Sequence, residues 1–572
     1  MAACAPRMTS QLADSPAAAA VVAAAPEARD DKMPAGIPFI IANEFAERFC
    51  YYGINAILTV YMTQFLRMGD ADATTYHSLF KSGAYFFPLI GAVISDVFWG
   101  KYRTIMTFSL VYATGCAVVA LVPAQWGLFA GLFLVAFGTG GIKPCVSTNV
   151  GDQFTSKNQH LIERAFSLFY LAINAGSSIS IYFCPVLLDP FNKEAKPRWL
   201  ADFLIAHGLH GRVVAFGTPA VAMFVATLAF WMGRKKFAII PPAGKKWVED
   251  VLSKEGIKTL GGLAVIYLFV ACFWSLWDQA NGQTWTLQAE SSLMDKNLGF
   301  GWTLLPAQIQ VVNGLFILAL VPVFTYGIYP LVGKFTKVTP LRRIGAGLFV
   351  IGASFLVVAW IEKQIMGGST VSVWWQFFAY LVLTAGEVLV SITALEFSYK
   401  QAPPRMKSFV MALFLFSTSV GNLITAGVNH QMTRPLHAVS AEVGAETWVQ
   451  LDDITDIEPG QKIDFSGDTG VTVVKAVKAG DETPKLKGTF LVSATDPAGK
   501  RVRLMDVVER KPIVSQGSFD AVKAEVSTYR LVGPGYFNFF AFAMFGVALV
   551  FIPFAMMYRE KTHVRQDDGT TA

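Results

Sequence analysis

The chain has 572 residues, 53% of them hydrophobic and only 15% charged, with a net charge of +6. Soluble domains run near a quarter charged, and stretches such as 260–277 and 537–557 carry no charge at all, which excludes an ordinary soluble fold. The basic excess forms no stripe interleaved with aromatic residues, so nucleic acid is excluded as a partner.

In chain order, the Ala- and Pro-rich leader 1–35 carries acidic residues and a polar gap, and reads as a disordered cytoplasmic tail, not a cleaved signal peptide. Apolar runs then predict helices over 37–62, 77–98, 104–122, 126–147, 165–187 and 212–232, an N-terminal bundle within 36–233. A polar linker, 234–259, leads to helices over 260–284, 308–331, 343–362, 373–397 and 407–428, within 260–428. A twelfth helix is predicted over 535–557 (segment 535–558), before a cytoplasmic tail, 559–572. Runs of about 20 apolar residues match the hydrocarbon core of a bilayer. The fold class is therefore an all-α membrane protein with 12 transmembrane helices in two six-helix bundles. Transporters built this way place their substrate near the midplane, between the halves.

Lys and Arg set the orientation. Lys101, Arg103, Lys157, Arg164, the run from Arg234 to Lys258, then Lys334, Lys337, Arg342, Arg343, Lys400, Arg405 and Lys407 all fall in loops on one side. By the positive-inside rule both termini are cytoplasmic, and a bacterial inner membrane is the expected location. The polar segment 429–534 then lies outside, between helices 11 and 12. A structureless loop of that length would be unusual. Its stretches 447–451, 471–477, 489–492 and 502–507 are β-rich and separated by Pro-Gly, Gly-Asp and Asp-Pro pairs, which predicts a small extramembrane β module. No sequence feature names a partner for it.

Five of the six cysteines lie in apolar segments and no CxxC pair occurs, so neither a disulfide framework nor a thiolate metal site is expected. No phosphate loop, zinc motif or nucleophile elbow is present, and no enzymatic activity, metal or cofactor is expected.

The informative residues are ionisable side chains inside apolar helices, each costing roughly 2.5–3.5 kcal/mol at a helix centre. In the first helix Glu44, Glu47, Arg48, Tyr51 and Asn55 recur at three- and four-residue spacing and share one face. They read as a structural ion pair or a proton-linked cluster, since one guanidinium cannot neutralise two carboxylates. Lys143, in the run from Gly138 to Pro144, either snorkels to the surface or pairs with a first-helix Glu. His77 opens the predicted second helix, as a cap or a proton carrier. Asp278 and Glu387 stand in the seventh and tenth helices, and Glu396 nearer the cytoplasmic end reads as structural or gating. Asp96, Lys101 and Arg103 form a charge clamp around a tight loop.

These segments resemble the proton-dependent oligopeptide transporter family, a branch of the major facilitator superfamily, over about 36–428 and 535–557. Glu44-Phe-Ala-Glu47-Arg48-Phe49-Cys-Tyr51-Tyr52-Gly53 is similar to the family's ExxERFxYYG element. Phe169-Tyr170-Leu-Ala-Ile173-Asn174-Ala-Gly176 is similar to FYxxINxG, and Glu396-Phe397-Ser398-Tyr399-Lys-Gln-Ala402-Pro403 to EFxYxxAP. Tyr76-His77, the run from Phe273 to Gln279 and Trp285 to Gln288 resemble the animal peptide transporters. The resemblance implies symport of di- and tripeptides driven by the proton gradient. It implies proton coupling through Glu44, Glu47, Arg48, Lys143, His77 and Asp278. It further implies a pocket lined by Tyr51, Tyr52, Tyr85, Asn174, Trp285 and Asn313, with Glu387 on the peptide's amino terminus and Lys143 facing it from the other bundle. Asn55 stands where many peptide-carrying members have an arginine, and Phe414 where many have a tryptophan. Asn55 therefore keeps open symport of another anion, such as nitrate or a carboxylate metabolite. A sensor or scaffold acting through the insert is a third reading.

Overall fold

In lipid, backbone N–H and C=O groups find no water, so the apolar runs close their hydrogen bonds internally as helices. The computed structural model describes residues 32–558 except 156, 243, 245–248, 250–252, 300, 402–406 and 475–484. The two predicted tails, apart from 32–35, lie outside the described residues, as do part of the linker, Arg405 and part of the predicted 471–477 stretch.

Among the described residues twelve long helices form the membrane body. The N-terminal half contains α1 (Ile37–Val60), α2 (Asp70–Val93), α3 (Lys101–Leu121), α4 (Gln125–Asp152), α5 (Ile162–Leu188) and α6 (Arg212–Met232). The C-terminal half contains α7 (Lys254–Ala280), α8 (Val311–Pro322), α9 (Pro340–Met366), α10 (Val373–Glu387), α11 (Lys407–Met432) and α12 (Pro534–Met557). Among the described residues eleven helices are long and apolar enough to cross a membrane. The exception is α1, whose Glu44, Glu47, Arg48 and Asn55 lower its hydropathy. Each half packs around its own apolar core.

Three helices continue into π-helical turns: α2 through Ile94–Trp99, α8 through Val323–Ile328 and α10 through Val388–Ile392. α1 ends in another, Tyr61–Phe65. Such turns often mark functional positions within helices.

Close packing in the N-terminal half depends on glycine. A Cβ on Gly138 would fall 2.7 Å from the Tyr112 backbone, and one on Gly141 would enter the Phe108 ring. These small residues seat α4 against α3, Gly140 seats it against Phe87 of α2, and together they bring Lys143 to the interior.

Helix limits differ from expectation at two places that bear on the site. The second helix begins at Asp70 and not at 77, with Asp70 and Asp72 in its first turn, where negative charge complements the helix dipole. The seventh stops at Ala280: Gly282 turns the chain with φ +82°, and a short helix, Thr284–Ala289, follows.

A two-residue parallel pair, β1 (Met294–Asp295) with β2 (Val371–Ser372), ties two loops of the C-terminal half. The extramembrane module lies between α11 and α12. It contains β3 (Thr433–Leu436), β4 (Ala438–Glu442), β5 (Trp448–Leu451), β6 (Lys462–Gly467), β7 (Val471–Val473), β8 (Gly488–Asp496), β9 (Arg501–Asp506), β10 (Ser515–Gly517) and β11 (Ala524–Tyr529). Seven strands form an antiparallel sheet in the order β3-β11-β6-β8-β9-β5-β4, and β7 pairs with β10. Pro435 is tolerated because β3 is an edge strand. The module has its own core, including Val449, Ile463, Phe465, Val492, Val502 and Leu504.

Candidate functional site

Lys143 comes to the centre of the N-terminal half on α4. Its ammonium lies 4.0 Å from the ring centroids of both Tyr51 and Tyr85. Nζ is buried with no hydrogen-bond partner among the described residues, so the expected pairing with a first-helix carboxylate is absent. Two aromatic faces stabilise the cation and leave its N–H donors unused. Tyr52 packs edge-on to Tyr51, with centroids 5.4 Å apart.

One face of α1 supplies the acidic cluster. Arg48 Nε lies 2.6 Å from Glu44 Oε1 and 3.3 Å from Glu47 Oε2, and Thr139 donates to Glu47 Oε1. Both carboxylates are buried. One guanidinium serves two acids.

On the opposite half, Glu387 is the last α-helical residue of α10 before its π turn. Its Oε2 accepts from Trp277 Nε1 (2.8 Å) and Asn313 Nδ2 (2.9 Å). Asn313 also donates to Thr384 Oγ1 at 3.0 Å.

Between the halves, at the end that bears the module, runs a polar seam. Asn55 Nδ2 donates to Asn281 O (3.2 Å), and Thr59 Oγ1 to Gly282 O (2.6 Å). His77 Nδ1 lies 2.7 Å from Thr59 Oγ1 and Nε2 lies 2.8 Å from Asn55 Oδ1. The Thr59 proton is committed to Gly282, and the Asn55 amide is oriented by Asn281. Both imidazole nitrogens are thus engaged, Nδ1 by Thr59 and Nε2 by Asn55. Four residues on, Lys81 Nζ donates to Asp278 Oδ1 (3.0 Å) and to Asn281 O (2.7 Å). Asp278 Oδ2 accepts from Asn422 Nδ2 at 2.6 Å. Ser78 donates to Gln283 Oε1 (3.0 Å), and the hydroxyls of Ser82 and Ser419 lie 2.9 Å apart.

The sequence-predicted residues thus divide. Glu44, Glu47, Arg48, Lys143, Tyr51, Tyr52 and Tyr85 gather in one half, and Asn313 with Glu387 in the other. His77 and Asp278 belong to the seam, and so does Asn55, which is buried and engaged there. Trp285 does not line an open pocket. It is fully buried in the C-terminal core against Phe355 and Tyr380, because the Gly282 turn folds its short helix back. Phe414 is likewise buried, with ring contacts to Tyr267 and Trp274. The Asn174 Nδ2 donates to Tyr170 O of its own helix at 2.8 Å.

The charge clamp is built differently from expectation. Lys101 pairs with Asp152 at the end of α4, at 2.5 Å, while Arg103 is exposed and Asp96 offers its backbone carbonyl to Gly244 N. Glu396 lies with Tyr329 and Arg343 beside a cavity of about 320 Å³ in the C-terminal half. Sequence reading passed over Lys81, Trp277, Asn422 and Asp152. Lys81 carried a signal, as a lysine within an apolar run one helical turn after His77.

The model of the POT family matches residues 102–254 and 242–449. Peptide transporter family 1 of Drosophila melanogaster is 37% identical over 371 residues, covering 58% of this chain and 48% of that protein. The chain spans about half the length of the curated relatives it matches. The crystal structure of the POT family transporter PepTSo is 34% identical with a TM-score of 0.60, over 70% of this chain and 90% of that one. The structure of an auto-inhibited POT family peptide transporter is 26% identical with a TM-score of 0.64, over 93% of this chain and 99% of that one.

Proposed function

Because this chain belongs to the POT family, we propose that it is a proton-coupled symporter importing di- and tripeptides by alternating access. The proposal places it in a bacterial plasma membrane, with both termini cytoplasmic and the β module outside. The proton gradient drives it, and no cofactor or enzymatic step is invoked.

One observation carries the reading. Among the described residues Lys143 of the N-terminal half has no hydrogen-bond partner, and Glu387 of the C-terminal half is engaged by the hydrogen bonds described above through Oε2 alone. A peptide zwitterion supplies the two missing partners, its carboxylate to Lys143 and its ammonium to Glu387. Cargo that bridges both halves favours their closure around it. The Glu44–Arg48–Glu47 cluster, with one acid in excess, is a place where a proton can be taken up and returned. His77, Lys81 and Asp278 link charge in the seam to whether the halves are joined at that end.

An anion without an amine has no use for Glu387. Uptake of labelled dialanine by Glu387→Gln, measured beside wild type in proteoliposomes, therefore tests the pocket. Loss of a charged hydrogen bond predicts a fall of roughly tenfold or more. Wild-type uptake would remove Glu387 from the peptide site.

A further inference from the structure

The β module is tied to the C-terminal half. The chain enters it from α11 and leaves it into α12, and at its base Arg530 N–H donates to Met432 O at 2.8 Å. Gly460 and Gly533 pack against Met366 at the end of α9, and Ser292 N–H donates to Val508 O at 3.2 Å.

The same module also grips the N-terminal half. Lys462 Nζ pairs with Asp70 Oδ2 at 2.5 Å. Thr489 Oγ1 accepts the Asp70 N–H at 2.9 Å, and the Tyr529 hydroxyl accepts the Ala71 N–H at 3.1 Å. These belong to the N–H groups that a helix leaves without partners at its start, so side chains of the module cap α2. Behind them, Asp464 accepts from Thr489 Oγ1 and from Tyr529 Oη, both at 2.6 Å. The fit is close: a Cβ added to Gly69 would lie 2.6 Å from Asp464 Oδ2.

We infer that the module is a strap across the seam, carried by the C-terminal half and clasping the first turn of α2. The helix it holds is the one that brings His77, Ser78, Lys81 and Ser82 to the seam. The halves cannot part at this end unless the clasp releases, so the strap favours the state closed there. The inference goes beyond peptide symport and depends on alternating access alone.

Distances measured by pulsed electron spin resonance in nanodiscs test it, with labels on non-natural ketone residues replacing Trp126 and Trp374. These tryptophans are exposed at the module end of α4 and α10, on opposite halves. Releasing the clasp with Lys462→Ala and Tyr529→Phe is expected to raise the long-distance population at least threefold. A second variant, Gly69→Cys with Asp464→Cys, closes it covalently. The two Cβ atoms would stand 3.2 Å apart, close to the roughly 3.5–4.5 Å of a disulfide. Oxidation is expected to leave only the short distance, and reduction to restore the wild-type distribution. An unchanged distribution in the released variant, or a long distance persisting in the oxidised one, overturns the strap. Neither readout needs a substrate, so failure of the peptide reading would leave this test intact.

Discussion

Lys81 and Asp278 are each nearly inaccessible and pair at 3.0 Å across the two halves. Removing one partner of a buried pair strands the other charge, at a cost of about 3–5 kcal/mol. Lys81→Met is therefore expected to lower the melting temperature in detergent clearly, and Lys81→Met with Asp278→Asn to recover most of the loss. Equal melting of the single and double variants would mean that the pair is not coupled. His77 makes a separate prediction. Glutamine cannot span Thr59 and Asn55 as the two ring nitrogens of His77 do. His77→Gln should cut gradient-driven uptake at least tenfold while leaving gradient-free dialanine exchange within about threefold.

At this scale the sequence was readable where physics was local. The spacing of Glu44, Glu47 and Arg48 placed them on one face, and they do share one ion cluster. It was unreadable where a side chain's neighbours come from elsewhere. Trp285 and Phe414 entered by resemblance alone, and a turn at Gly282 and the packing of α11 bury both. Lys143 was expected beside a carboxylate, and the rings of Tyr51 and Tyr85 took its place.

Among the elements, the helices follow hydropathy, and the departures occur where another element takes over. α2 starts early because the module caps it. The π turns after Val93, Pro322 and Glu387 leave no hydropathy signal, since they change hydrogen-bond register and not composition. In the module, β5, β8 and β9 coincide with predicted stretches, while β6 was missed. Its Ile463, Asp464 and Phe465 are all buried, so the alternation of a one-sided strand is lost. The second face is covered by the start of α2.

Burial, together with the charge of Asp70, pushes the Asp464 carboxyl up to about 7, against the opposing pull of Lys462 and the hydrogen bonds from Thr489 and Tyr529. An acid raised in the folded state holds its proton there and gives it up on unfolding. Its contribution is complete below the unfolded value near 4 and is lost as pH rises towards 7. The melting temperature of the docked protein should fall by several degrees between pH 5 and pH 7.5. Asp464→Asn should flatten that slope; an unaltered slope would assign the pH response to other groups.

For the whole molecule, two separate apolar cores and a third in the module describe three units that can move against one another. Substitution of a short Gly/Ser linker for 433–530 is therefore expected to leave a folded transporter with uptake within about threefold of wild type or above it, because the membrane halves keep their own cores. Loss of all folded protein on that exchange would make the module part of the membrane core. Which end is closed was not legible in the sequence, because the same residues serve both states of an alternating cycle. The partners of Asn55, Thr59, Ser78, Lys81 and Ser82 reveal that the seam is joined at the module end.

We propose that this chain moves short peptides with protons, and uptake by wild-type protein in proteoliposomes is the decisive measurement. With an inward proton gradient, labelled dialanine should accumulate, and di- and tripeptides should compete while free amino acids do not. Uptake of nitrate under the same gradient, with no uptake of dialanine, would rule out peptide symport.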